Sequence, residues 1–161
     1  MKSLSLSVYL IALVAAAGCA TRPGIVLKET VGPARPHPGR RKGEGELVVC
    51  SALEVANAAD ADHPAHSGYT ICAPDGRLIR EVDNRTGPFY QDPVTVALPV
   101  GSYEVKGRAT NHGAVVVPVL IEEGRTTVVD LEGAMPPPVP RQVGDQFVRL
   151  PDGQIVGTGA E

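Results

Sequence analysis

The chain predicts an all-β fold: one small seven-stranded antiparallel β-sandwich over residues 44–133, with a disordered N-terminal linker before it and a Pro-rich tail after it. Three observations predict this. The 161 residues hold 18 Gly and 15 Pro, a composition of many turns. Aromatics make up only 4% and Trp is absent, so the core is small and aliphatic. Between 44 and 133, short apolar runs recur, each bounded by Pro, Gly or Asp, which is the spacing of sandwich strands. A domain of roughly 90 residues buries a modest share of its surface, so a cross-link or partner would help it.

The strands follow in order. Leu47 to Leu53 is the first and Tyr69 to Cys72 the second. Pro74-Asp75-Gly76 is a hairpin turn, because Pro presets φ and Gly takes the left-handed position. Arg77 to Val82 returns as the third. Val94, Val96 and Leu98 alternate with Thr95 and Ala97 on the fourth. Pro99-Val100-Gly101 turns the chain into Ser102 to Arg108, where Tyr103 and Val105 share a face. Val115 to Ile121 is the sixth; Pro118 inside it lacks a ladder donor, which predicts an edge position or a bulge. Glu122-Glu123-Gly124 leads into Arg125 to Leu131, the seventh.

The flanks read differently. Residues 19–43 carry Pro23, Pro33, Pro36 and Pro38 and little hydrophobic period, which predicts a semi-extended linker. Its Arg40-Arg41-Lys42 cluster suits either a solvated linker or a loose contact with anionic headgroups, at about 1 kcal/mol per charge. Residues 134–161 open on Pro136-Pro137-Pro138. A second Pro-Asp-Gly at 151–153 then separates Phe147–Leu150 from Gln154–Val156, a short hairpin signal. Such a hairpin is marginal alone, and is open to packing on the sandwich, to pairing with a partner's edge, or to disorder.

Residues 1–18 have the form of a secretory leader. Lys2 is the positive start, Leu4 to Ala17 an apolar run too short to span a bilayer, and small residues follow. Ala16-Ala17-Gly18-Cys19 resembles the lipobox of bacterial lipoproteins, with Ala where Leu is usual. The resemblance implies cleavage before Cys19, a lipid on its sulfur, and a membrane anchor of two or more chains, which holds firmly. Ala20 after the cysteine implies the outer membrane.

Leu98-Pro99-Val100-Gly101-Ser102-Tyr103-Glu104-Val105 resembles the strand–turn–strand of carboxypeptidase regulatory-like and PEGA-type domains. Val115 to Leu131 resembles their closing hairpin, and Asn111-His112-Gly113 departs from their usual Gly-Tyr. The resemblance covers roughly 45–133 and implies a prealbumin-like sandwich serving adhesion, scaffolding or surface binding without catalysis. Fold analogy carries architecture further than function.

Cys50 and Cys72 remain, in an oxidising compartment if the leader is cleaved. With Leu47, Val49 and Leu53 inward and Tyr69 and Ile71 inward, both thiols face outward on neighbouring strands, which predicts a disulfide contributing roughly 3 kcal/mol. Two free thiols are the alternative. Asp60, Asp62, His63 and His66 cluster before the second strand, a set that could hold zinc or copper if His37 or His112 joined it, and otherwise a polar surface loop. In the loop reading, His66 bonds backbone at the strand start.

The chain has no Gly-x-Ser-x-Gly elbow and no phosphate-binding loop. Glu81 with Asp83, and Glu122 with Glu123, read as turn charges and not as a glycosidase pair. A net charge of −3 argues against nucleic acid. The expectation is therefore a non-enzymatic lipoprotein of the bacterial envelope, with no cofactor and no catalytic residue. Its partners would be the membrane and an envelope protein or polysaccharide. A metal-binding protein using His63 and His66, and an envelope hydrolase, are the rival readings.

Overall fold

The computed structural model describes residues 24–36, 42–54, 65–85, 92–134 and 146–160. Among these the chain forms strands and no helix, as the turn-rich composition predicts. The strands are β1 (Ile25–Val26), β2 (Pro33–Pro36), β3 (Glu44–Cys50), β4 (Leu53–Glu54), β5 (Ala65–His66), β6 (Tyr69–Cys72) and β7 (Leu78–Val82). They continue as β8 (Thr95–Pro99), β9 (Gly101–Ala109), β10 (Gly113–Ile121), β11 (Arg125–Asp130), β12 (Phe147–Arg149) and β13 (Ile155–Thr158).

One sheet runs β1-β10-β9-β6-β7 and a second β2-β11-β3-β8. The expectation of wholly antiparallel sheets is corrected, because β3 pairs β11, and β1 pairs β10, in parallel. Two short ribbons, β4-β5 and β12-β13, complete the set. Period-two alternation builds the core between the two large sheets. Along β10, Val115, Val117, Val119 and Ile121 are buried while Ala114, Val116, Pro118 and Leu120 are less so. Leu47 and Val49 of β3 and Val129 of β11 meet them from the other sheet. Each such fully buried aliphatic side chain contributes about 1.5–3 kcal/mol.

The corner between the sheets lies at Pro99-Val100-Gly101, since β8 and β9 belong to different sheets. Tyr103 donates its hydroxyl to the Pro99 carbonyl at 2.9 Å. A tyrosine bonded to backbone a few residues upstream is the device that holds such corners in sandwich domains. Both Pro-Asp-Gly turns share one geometry. Asp75 accepts from the Arg77 amide and Asp152 from the Gln154 amide, each at 3.0 Å. Gly76 and Gly153 take φ of 84° and 93°.

The linker expectation fails for residues 24–36. β1 pairs in parallel with β10, and β2 pairs antiparallel with β11, so this segment joins one sheet and then the other. Val31 lies between them: its amide donates to the Pro118 carbonyl and its carbonyl accepts from Leu120, both at 2.9 Å. Leu27 and Val31 are buried in the common core. Of the prolines that suggested a linker, Pro33 and Pro36 pair with Thr127 and Arg125, and two buried aliphatics help dock the segment. The leader, Cys19 and the rest of 19–43 other than 24–36 and 42–43 lie outside the described residues.

Pro118 is at neither an edge nor a bulge. It pairs in unbroken register with Glu104, between β9 and the N-terminal segment. Val116, Pro118 and Leu120 turn their backbone groups toward that segment, which bends between Leu27 and Val31. The missing donor falls at the bend, where the neighbouring chain leaves the ladder.

The C-terminal hairpin forms, and it pairs within its own chain. Gly159 bridges Val31 antiparallel, the Gly32 amide donates to Thr158, and the Ala160 amide donates to Thr30, both at 2.8 Å. Val148, Leu150 and Val156 enter the common core. The residues around Pro136 lie outside the described set. The two outer edges elsewhere are blunted. β7 carries Arg80, Glu81 and a bulge opposite Ile71–Cys72, and β8 runs between Pro93 and Pro99.

Candidate functional site

Buried polar side chains concentrate at the C-terminal end of β3. Asn84 donates to the Val49 carbonyl at 2.7 Å and to Ser51 Oγ at 3.0 Å, and its Oδ1 accepts from the Val94 amide at 2.8 Å. Ser51 Oγ donates to the Ser67 carbonyl at 2.6 Å. The His66 ring places Nδ1 2.7 Å from the Ser51 carbonyl. This seam fastens β3 to β5 and to the segments after β7 and before β8. Ser51 and His66 are close but do not form a nucleophile–base pair: the imidazole meets backbone, and the hydroxyl is spent on a carbonyl. Low dielectric makes every missing bond here costly, so the seam specifies the fold.

His66 thus takes the backbone contact expected of it in a polar loop. Asp60, Asp62, His63 and His37 lie outside the described residues. Among the described residues no three His, Cys, Asp or Glu side chains converge as a metal site. His112, the other candidate ligand, faces Asp152 instead, with Nε2 2.9 Å from Oδ2.

The disulfide expectation is corrected by the sheet assignment. Cys50 lies in β3 of one sheet and Cys72 in β6 of the other, and the two are not joined. Parity was read correctly for Leu47 and Val49, but β3 and β6 are not neighbours, and Leu53 is exposed. Both thiols are buried. Burial, with Asp130 and Glu132 adding negative charge, pushes the Cys50 thiol up to about 12. A thiol held that high is no thiolate nucleophile. Burial likewise raises the Tyr69 phenol, the Arg80 charge opposing it and Cys50 adding to it.

A shallow cavity of about 410 Å³ lies where the N-terminal segment meets the last hairpin, lined by Glu29, Thr30, Ser102, Leu120, Phe147 and Ala160. Glu29 is its one titratable side chain, so the cavity offers polar contact without an acid–base pair. Asn84 is the residue sequence reasoning missed. A lone Asn after a strand carries no pattern that marks it as a tie between sheets.

A different constellation sits at the end of the domain where β1 begins. Gly24 lies against Ala114, close enough that a Cβ would meet the Ala114 carbonyl oxygen at 2.7 Å. The Thr110 amide and hydroxyl bond the Leu131 and Glu132 carbonyls, each at 3.1 Å. The His112–Asp152 contact brings the Pro-Asp-Gly tip of the last hairpin to the same place. Asp130 accepts from the Glu132 and Gly133 amides at 3.0 and 2.8 Å, which shapes the exit from β11. This end therefore gathers the start of β1, the β9–β10 turn, the end of β11 and a hairpin tip. No family model, no curated protein and no solved structure matches this chain.

Proposed function

We infer that this chain is a non-catalytic lipoprotein of a bacterial cell envelope, acylated at Cys19, that displays a prealbumin-like β-sandwich for a structural or binding role. The observation that carries the reading is the spacing of anchor and domain. Ile25, six residues after the lipobox cysteine, already pairs with Val115. A leader that ends in an acylatable cysteine thus runs straight into a folded β domain. The sandwich reading draws support from seven of the nine strands between Glu44 and Asp130, which divide as β7-β6-β9-β10 and β8-β3-β11 over one core, β4 and β5 forming a separate ribbon. Their non-consecutive neighbours, with β3 and β11 paired in parallel, are not those of a meander. A binding role draws support from the seam, whose polar groups serve structure, and from the cavity, which lacks convergent acids and bases. The partner would be an envelope protein or polysaccharide in the outer membrane compartment.

The test is metabolic labelling of the full chain in a bacterium with an alkyne fatty acid. Wild type should carry the label in the membrane fraction and Cys19→Ser should not. Equal labelling of the two, or an intact leader on a cytosolic chain, would sink the reading.

A further inference from the structure

We propose that the end of the domain carrying the β9–β10 turn and the Pro151-Asp152-Gly153 tip rests against the bilayer surface, and that the opposite end faces the compartment. The proposal rests on the acylation of Cys19 inferred above and adds an orientation to it. Two lengths decide it. From Cys19 to Gly24, which already lies against Ala114, the chain spans five residues, at most about 18 Å when fully extended. β10 runs parallel to β1, and from Ala114 to Ile121 it covers seven residues, about 23 Å.

The start of β1 is level with the second and third residues of β10: Gly24 lies against Ala114 and Ile25 pairs with Val115. The far end is marked by Ile121, by the Gly124 amide bonded to Glu44, and by the Val100 amide bonded to Gly43, both at 3.0 Å. If the far end stood on the membrane, Gly24 would be lifted some 23 Å from it, farther than the five-residue tether reaches. The inverted posture is thus excluded by chain length. A second observation points the same way. Val26, one residue into β1, is 67% exposed, the most exposed large apolar side chain among the described residues. It stands at the β1 end of the domain, seven residues after Cys19 in sequence, and on a bilayer surface an apolar side chain gains from the headgroup–acyl boundary. The Lys42 end of the basic cluster lies at the far end, next to Gly43, and so points away from the headgroups.

The absence of Trp makes the test clean. Asn111→Trp and Glu123→Trp each place a single indole at an exposed turn, one at each end. The full acylated chains are reconstituted in phosphatidylethanolamine–phosphatidylglycerol vesicles carrying a dansyl headgroup lipid. Energy transfer from Asn111→Trp should exceed that from Glu123→Trp severalfold. A long Gly/Ser insert between Thr21 and Arg22 should erase the difference. Thr110→Trp and Val100→Trp repeat the comparison if either first variant fails to fold. Equal or reversed transfer from chains whose mass includes the lipid overturns the orientation alone. Exported chains recovered from the membrane fraction with Cys19 unmodified overturn the anchor, and the orientation with it.

Discussion

Gly157 lies so close to Val31 that a Cβ on it would come within 2.6 Å of Val31 Cγ1, and within 2.8 Å of the Val128 carbonyl oxygen. The last hairpin can approach the N-terminal segment only because that position has no side chain. Gly157→Ala should cost about 2 kcal/mol, since neither backbone nor a buried β-branched residue yields easily. Val31→Ala alone should also cost about 2 kcal/mol by leaving a void. Urea melts of both and of the double variant should show partial relief, with a coupling of about 1 kcal/mol. Strict additivity would mean the two do not touch.

Residues 24–36 should behave as part of the domain. A soluble chain starting at Gly24 should melt cooperatively, and one starting at His37 should lose more than about 4 kcal/mol, a large share of a small domain's stability. The loss follows from Leu27 and Val31 leaving the core and from the bonds Val31 makes to Pro118 and Leu120. Calorimetry that finds both chains equally stable would restore the linker expectation.

Asn84 should be hard to replace. Asn84→Ala removes the partner of the Val49 carbonyl and of the Val94 amide, inside a seam where Asn84 is fully buried. Stranding such groups costs about 2–3 kcal/mol in all. A urea midpoint unchanged by the substitution would contradict the network.

The thiols should be shielded. Iodoacetamide should leave Cys50 and Cys72 unmodified in the native exported protein and alkylate both in denaturant. Cys50 should resist at high pH as well, because burial and then Asp130 and Glu132 hold it at about 12. Non-reducing mass analysis that finds two thiols missing would bring the disulfide back.

The hairpin tip should respond to acid. The Gln154 amide, and after it the hydrogen bond with His112, hold the Asp152 carboxyl below its ordinary 3.8. A depressed value means stability that is present above the ordinary one and lost as pH falls through the depressed one. The melting difference between wild type and Asp152→Asn should therefore be positive above the ordinary carboxylate value and shrink as pH falls below it. A difference constant with pH would remove the carboxylate's role.

Much was legible because it is local. Pro-Asp-Gly specifies a hairpin by its own φ angles, and Val115, Val117, Val119 and Ile121 face one way by the pleat alone. What needed the tertiary structure is the identity of neighbours. Strand parity told which way Cys50 points relative to Val49, but not that β6 lies in the other sheet. Proline content described 24–36 as a linker, while two buried side chains and a handful of backbone bonds to distant strands decided otherwise. The physical reason is range. Alternation and turn geometry are encoded within a few residues, whereas pairing is settled by whichever arrangement buries Val31, Val156 and Leu131 together, and no short window of sequence contains all three.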